Sequence, residues 1–284
     1  MEREYNFKSD LVTGDARAAA ENLLDNNGFY IKGLCTLAKI VAKTPNVRKR
    51  YESLINTLPA DENNFLAEEK TLTVSFSALE EFSGLNMEDL HKDGLIVPVV
   101  LMYKALACKW DDCFDKSAGR SGEAAWNSKD GEGKSAGELW TRGINLIKAN
   151  QNIPFEKKND LIADLTNTRD DYLFYETKLK EPETFHGLDG LDTFTLSLEM
   201  RKRSFGRMAK VMTRVFNKGE KDEILETKMA NTTLALGVID GFMDLKEDGD
   251  NGVMTEARAY VEHKNMLERY ALIEGIKLAG NLLN

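Results

Sequence analysis

The feature that most constrains this chain is the recurrence, along nearly its whole length, of apolar residues at helical rather than strand spacing. Between Phe29 and Ala42 the apolar positions are Ile31, Leu34, Leu37, Ala38 and Val41, which fall on one helical face. Thr44-Pro45 is expected to stop that helix, and Pro45 to open a second one carrying Val47, Tyr51, Leu54 and Ile55. Leu58-Pro59-Ala60-Asp61 reads as a turn. Thr71 to Phe82 has strand-like features at Leu72, Val74 and Phe76, but nothing nearby offers a pairing strand, so it is assigned as helix. Asn86 is expected to cap a long segment from Met87 to Asp115, broken near Gly94 and Pro98. Ser117 to Lys134, rich in Gly and Ser, is expected to be a loop of the kind that forms lids. Ser135 to Ala149, Pro154 to Lys180, Leu191 to Asn217, Glu220 to Lys246 and Val253 to Leu283 read as helices, with a second loop at Pro182 to Gly190. Only five prolines occur, and Ala, Leu, Glu and Lys are common, which favours helix. The expectation is an all-α bundle forming a single domain over residues 1–284.

Composition excludes several functional classes. The formal charge is −9, from 38 basic and 47 acidic residues, so the chain as a whole repels nucleic acid and anionic membrane. The three cysteines, Cys35, Cys108 and Cys113, are an odd and scattered set, which suggests reduced thiols and a cytoplasmic setting. The first residues, MEREYNFKSD, have no apolar stretch of the secretory kind. No apolar run is long enough for a membrane span. Three histidines, His91, His186 and His263, give little basis for a zinc site or a His-centred hydrolase, and there is no P-loop or CxxC.

Two carboxylate clusters stand out. Asp111 and Asp115 are four residues apart, with Asp112 beside them, after the apolar runs Val99 to Met102 and Ala105 to Ala107. Asp240, Asp244 and Asp248 repeat the four-residue spacing, with Glu247 three after Asp244, following the apolar run Leu234 to Ile239. On a helix such residues share one face. Like charges at that spacing repel, and at a helix C-terminus they oppose the macrodipole. A cation offsets both penalties, and a hard ion such as Mg²⁺ takes carboxylate oxygens. The bland alternative is a solvated acidic helix end. A calcium loop of the EF-hand type starting at Asp244 would need ligands where Lys246 and Thr255 stand.

Asp111-Asp112-Cys113-Phe114-Asp115 resembles the DDxxD motif of class I isoprenoid synthases. The stretch from Asp240 to Asp248 is similar to the second motif of the squalene and phytoene synthase branch, and to that of the tetraprenyl-β-curcumene synthase-like large terpene synthases. The resemblance implies a helical bundle around a central apolar cavity, with both motifs on facing helices holding three Mg²⁺ ions, Mn²⁺ being the alternative. It implies Asp111, Asp112, Asp115, Asp240, Asp244, Glu247 and Asp248 as metal ligands, with Asp111, Asp115 and Asp244 closest to catalysis. The expected activity is that of a class I terpene synthase, ionising a prenyl diphosphate. The alternatives are a prenyltransferase, head-to-head or onto a small acceptor, and a non-enzymatic helical binding protein with an acidic metal site. Monomer and homodimer are both left open.

A diphosphate also needs fixed cations. Glu199 to Lys218 carries Arg201, Lys202, Arg203, Arg207, Lys210, Arg214 and Lys218 against one acid. Arg203, Arg207, Lys210 and Arg214 follow helical spacing, and Arg203, Arg207 and Lys210 are the candidates for gripping diphosphate. A solvated basic face is the competing interpretation. Phe76, Tyr103, Phe194, Phe205 and Phe242 are candidates for shielding a cation, or simply core. The acidic stretch Asp170 to Glu176 is expected to be helix surface with its own ion pairs. The pair Arg269-Tyr270 is a further candidate for reaching diphosphate.

Overall fold

A computed structural model describes residues 7–25, 30–56, 70–116, 122–129, 134–246, 254–264 and 268–284. The fold is all-α, and no strand occurs among the described residues. The chain divides into two compact units. The first comprises Met1–Ala38, Phe174–Arg207 and Ala230–Asn284, and the second Lys39–Leu173 and Met208–Met229.

The first unit is built around one central helix, α11 (Gly190–Arg201). Preceding it in the chain are α1 (Phe7–Leu11), α2 (Gly14–Asp25), α3 (Tyr30–Ile55) and α10 (Phe155–Leu179). Asp189 caps α11 by accepting from the Asp192 amide at 2.7 Å, and Arg17 of α2 bridges Asp189 and Asp192. Helix α11 is buried almost all round, through Leu191, Phe194, Leu196, Leu198 and Met200. Its polar positions enter the core because they bond to their own helix: Thr195 Oγ1 donates to the Leu191 carbonyl at 2.7 Å, and Ser197 Oγ to the Phe194 carbonyl at 3.0 Å. Around it pack α1, α2 and α14 (Glu256–Lys264), and α15 (Glu268–Leu282) closes against α14 and α2. Gly33 of α3 meets Gly280 of α15 so closely that a Cβ on Gly33 would lie 1.8 Å from the Gly280 carbonyl oxygen.

In the second unit the apolar helix α6 (Ile96–Tyr103) packs along α9 (Ala136–Ala149). Helix α9 begins with a capping box, Ser135 and Glu138 bonding reciprocally. Gly143 of α9 lets α6 approach: a Cβ there would lie 2.6 Å from Met102 Cγ and 2.9 Å from the Pro98 carbonyl oxygen. Helix α4 (Lys70–Ser83) contributes Phe76, which lies between the rings of Tyr51 and Phe216. Arg214 of α12 (Arg207–Phe216) forks onto Glu226 of α13 (Glu223–Met243) with two bonds of 2.8 Å and also pairs with Asp164.

Several element expectations are corrected. Pro45 does not divide two helices: α3 runs through it as one helix of 26 residues, and Thr44 Oγ1 bonds back to the Ile40 carbonyl beside it. The break after α5 (Met87–Lys92) comes at Gly94, at φ +68°, while Pro98 sits inside the first turn of α6, where a proline sacrifices no helical bond. The expected loop at Ser117 to Lys134 contains a helix, α8 (Gly122–Asn127), and the Trp110 indole donates to the Gly122 carbonyl at 3.0 Å. Residues 117–121 and 130–133 of that loop, and the turn at Leu58 to Asp61, lie outside the described residues. The helix expected over Thr71 to Phe82 is present as α4. The one expected over Val253 to Leu283 is α14 and α15, with 265–267 outside the described residues.

Among the described residues two segments are π-helical, Lys104–Trp110 and Lys202–Gly206. Such turns are rare and concentrate near functional positions. The first leads directly into α7 (Asp111–Lys116), which begins the DDxxD stretch, and the second contains Arg203 and leads into Arg207.

Candidate functional site

The first acidic cluster belongs to the second unit. The π segment buries Ala105, Leu106, Lys109 and Trp110, and α7 follows it. Phe114 is fully buried against Trp110, ring centroids 5.0 Å apart, and Trp110 meets Tyr172 edge-on at 6.0 Å. With Trp110 and Phe114 committed to the core, Asp111 is left partly buried and Asp112 exposed. Asp115 lies in α7, and its side chain is outside the described residues. Cys113 is partly buried and has a free thiol.

The second cluster belongs to the first unit. Helix α13 buries Leu234, Ala235, Val238 and Phe242 in the core with Phe194, Tyr260 and Leu278. Asp240 follows Val238 by two residues and therefore faces the opposite side, where Gly237, Asp240 and Asp244 are all exposed. Helix α13 ends at Met243, so the expectation that Asp240, Asp244, Glu247 and Asp248 line one continuous helix is corrected. Asp244 stands at a bend, still donating its amide to the Asp240 carbonyl at 2.9 Å, and Glu247 and Asp248 lie outside the described residues.

Beside Asp240 the end of α13 packs on α14 and α15 through Phe242, while Gly241 has ordinary contact distances to spare. A Cβ on Gly241 would sit 3.4 Å from the Ala257 methyl and 3.7 Å from the Thr255 side chain. Phe242 packs onto Gly275 of α15, where a Cβ would lie 2.5 Å from its ring, and meets the Tyr260 ring at 5.7 Å. Burial pushes Tyr260 up to about 12, helped by the Glu274 carboxylate that its hydroxyl meets at 3.2 Å. Although Asp240 is exposed as a residue, its carboxyl is held above the usual carboxylate range, first by partial burial and then by the Asp244 charge; Arg201 draws it down. The donor set is carboxylate oxygen, which suits a hard divalent ion, and a cation would relieve the Asp240–Asp244 repulsion. Among the described residues no three His, Cys, Asp or Glu side chains form a metal-holding group.

The basic residues divide in role. Arg214 is committed to Glu226 and Asp164, which raise its pKa, the Glu226 hydrogen bond most, so it is a structural cation and drops out of the expected basic stripe. Arg203 is exposed within the π segment, so the α-helical spacing from Arg203 to Arg207 does not hold there. Arg207 opens α12, Lys210 follows one turn later, and both are partly buried. Among the aromatic candidates, Phe76, Phe194 and Phe242 are core, and Phe205 lies under Arg201 with 5.2 Å between guanidinium carbon and ring centroid. The side chains of Arg269 and Tyr270 lie outside the described residues.

One polar centre was missed in the sequence. Glu176 and Glu256 are each 2% exposed, and Arg201 bonds both: Nη1 to Glu176 at 2.6 Å and Nε to Glu256 at 3.3 Å. Ser204 Oγ donates to the other Glu176 oxygen at 2.5 Å. The expectation that Asp170 to Glu176 is helix surface is therefore right only at its start, where Arg169 pairs with Asp170. A signal was available: Glu176 continues the buried stripe Leu161, Leu165, Thr168, Tyr172 and Leu179 of α10, a charge in core phase.

A groove of about 630 Å³ in the second unit is lined by Trp126, Asn127, Glu138, Thr141, Arg142 and Asn145, among others, and by none of the acidic or basic candidates. Among the described residues no helix is long and apolar enough to cross a membrane. No protein-family model, curated protein or solved structure matches the chain.

Proposed function

We propose that this chain is a Mg²⁺-dependent class I terpene synthase that ionises a prenyl diphosphate, with release of diphosphate. The observation that carries this reading is the second cluster. Asp240 and Asp244 stand one turn apart at the exposed end of α13, with the Asp240 carboxyl raised by burial and by its neighbour's charge. The first cluster repeats the arrangement of carboxylates after a buried apolar run.

In this account Asp111, Asp112, Asp115, Asp240, Asp244, Glu247 and Asp248 are the residues that would hold Mg²⁺, three ions in all. Bound Mg²⁺ supplies Lewis-acid neutralisation of the leaving diphosphate. Arg203, Arg207 and Lys210 add fixed positive charge to the diphosphate oxygens. An apolar pocket around the allylic chain would exclude water from the cation left behind. Coupling to a second prenyl chain or a small acceptor uses the same ionisation step and is distinguished by its products.

Incubation with prenyl diphosphates and Mg²⁺ tests the reading. Hydrocarbon or alcohol products mark a cyclase, and joined chains a prenyltransferase. Asp244→Ala is expected to lose about 100-fold or more of the rate, as when one electrostatic stabiliser is removed. An Asp244→Ala protein with full activity overturns the site assignment.

A further inference from the structure

We infer that Arg201 is a positioning residue for the second acidic cluster, acting through the buried carboxylate of Glu256. The inference rests on reading Asp240 and Asp244 as metal ligands. Arg201, like Arg214 in the same stretch, is fixed from several directions. Glu176 takes Nη1 at 2.6 Å, Glu256 takes Nε at 3.3 Å, and the Phe205 ring lies against the guanidinium. Ser204 holds the second oxygen of Glu176. Two carboxylates this deeply buried are costly without a cation, so the three side chains form one unit whose geometry is set by charge pairing.

That unit is connected to the acids by packing. Glu256 opens α14, whose first turn is capped by Thr255 Oγ1 accepting the Arg258 amide at 3.3 Å. The residues flanking Glu256, Thr255 and Ala257, face Gly241, and beside them Phe242 of α13 packs on the Tyr260 ring of α14 at 5.7 Å. Gly241 in turn is the residue after Asp240. Arg201 therefore ties the end of α11 to the start of α14, and the start of α14 sets where the end of α13 lies. With its Nη1 and Nε engaged by carboxylates, Arg201 acts on the site through its neighbours rather than as a diphosphate grip.

The test is Mn²⁺ binding to the full chain without diphosphate, followed by electron paramagnetic resonance of the free ion. Wild type, Asp244→Ala, Glu256→Gln and Arg201→Lys are compared, with melting followed alongside. Glu256→Gln keeps the shape and leaves Glu176 paired, so it folds even where an Arg201 variant fails. The expectation is that Glu256→Gln and Arg201→Lys weaken Mn²⁺ binding by about 10-fold or more, as loss of a ligand-orienting partner does. The folded helix content should stay unchanged. If Asp244→Ala weakens binding but Glu256→Gln binds as wild type, the positioning role is overturned and the metal reading stands. If wild type and Asp244→Ala bind Mn²⁺ alike, the metal reading itself falls. If the Arg201 variant changes only inorganic diphosphate binding in the presence of Mn²⁺, Arg201 is a direct phosphate ligand and the positioning role is wrong.

Discussion

At the scale of single residues, the chain's charges divide into those paired inside the fold and those at its surface. Arg214 is the clearest of the first kind. Glu226 is 3% exposed and depends on the Arg214 fork for compensation. Arg214→Ala leaves that carboxylate buried and unpaired, which should cost about 3–5 kcal/mol of stability in urea unfolding. A loss below about 1 kcal/mol would show that the pair is solvated like an ordinary surface bridge. Tyr260 supplies a pH-dependent counterpart. Its folded pKa, about 12, exceeds the ordinary 10.0, so its contribution is fully present below pH 10 and is lost as pH rises through 12. Tyr260→Phe should accordingly lose less stability than wild type between pH 10 and 12, and a phenolate signal near 10 in the absorbance difference between folded wild type and Tyr260→Phe would contradict the buried environment. Sequence reading singled out the acids because their four-residue spacing is a local pattern. It missed the Arg201 centre because Glu176 and Glu256 lie 25 and 55 positions from Arg201, a distance at which spacing carries no signal.

Among the elements, apolar periodicity gave the helices and local chemistry gave several of their ends. Asn86, Ser135 and Asp189 each cap a helix by accepting an amide two to three residues on, a feature readable from residue type. The errors have physical causes. Pro45 reads as a stop because it lacks an amide, yet α3 absorbs the lost bond and continues. The π segments leave no mark in composition, since Lys104–Trp110 carries the same apolar residues that an α-helix would bury. Close helix approach is equally silent in the sequence until the partner is known. At Gly143 a methyl would strike Met102 Cγ at 2.6 Å and the Pro98 carbonyl oxygen at 2.9 Å. Gly143→Ala gains helix propensity but must push α6 away from α9, so it should destabilise by about 1–3 kcal/mol, as overpacking does. A variant more stable than wild type in chemical denaturation would show that the helices part without cost.

For the whole molecule, the all-α class and the order of helices were legible because buried faces repeat at helical spacing from one segment to the next. The division into two compact units was not, because each unit is assembled from stretches far apart in the chain. The two acidic clusters fall in different units, and the proposed chemistry requires both to act on one diphosphate. A metal that binds only the folded chain stabilises it, by about 2.7 kcal/mol at a free concentration 100-fold above Kd. Mg²⁺ should therefore raise the melting temperature of wild type, and do so less for Asp240→Asn or Asp111→Asn. An equal rise in all three proteins would place the metal elsewhere. The most direct measurement is release of inorganic diphosphate from prenyl diphosphates of ten to thirty-five carbons in the presence of Mg²⁺. The account predicts release with at least one chain length, abolished by a chelator and severely reduced in both Asp111→Ala and Asp244→Ala. No release at any chain length, or release that survives the loss of either aspartate, would contradict it.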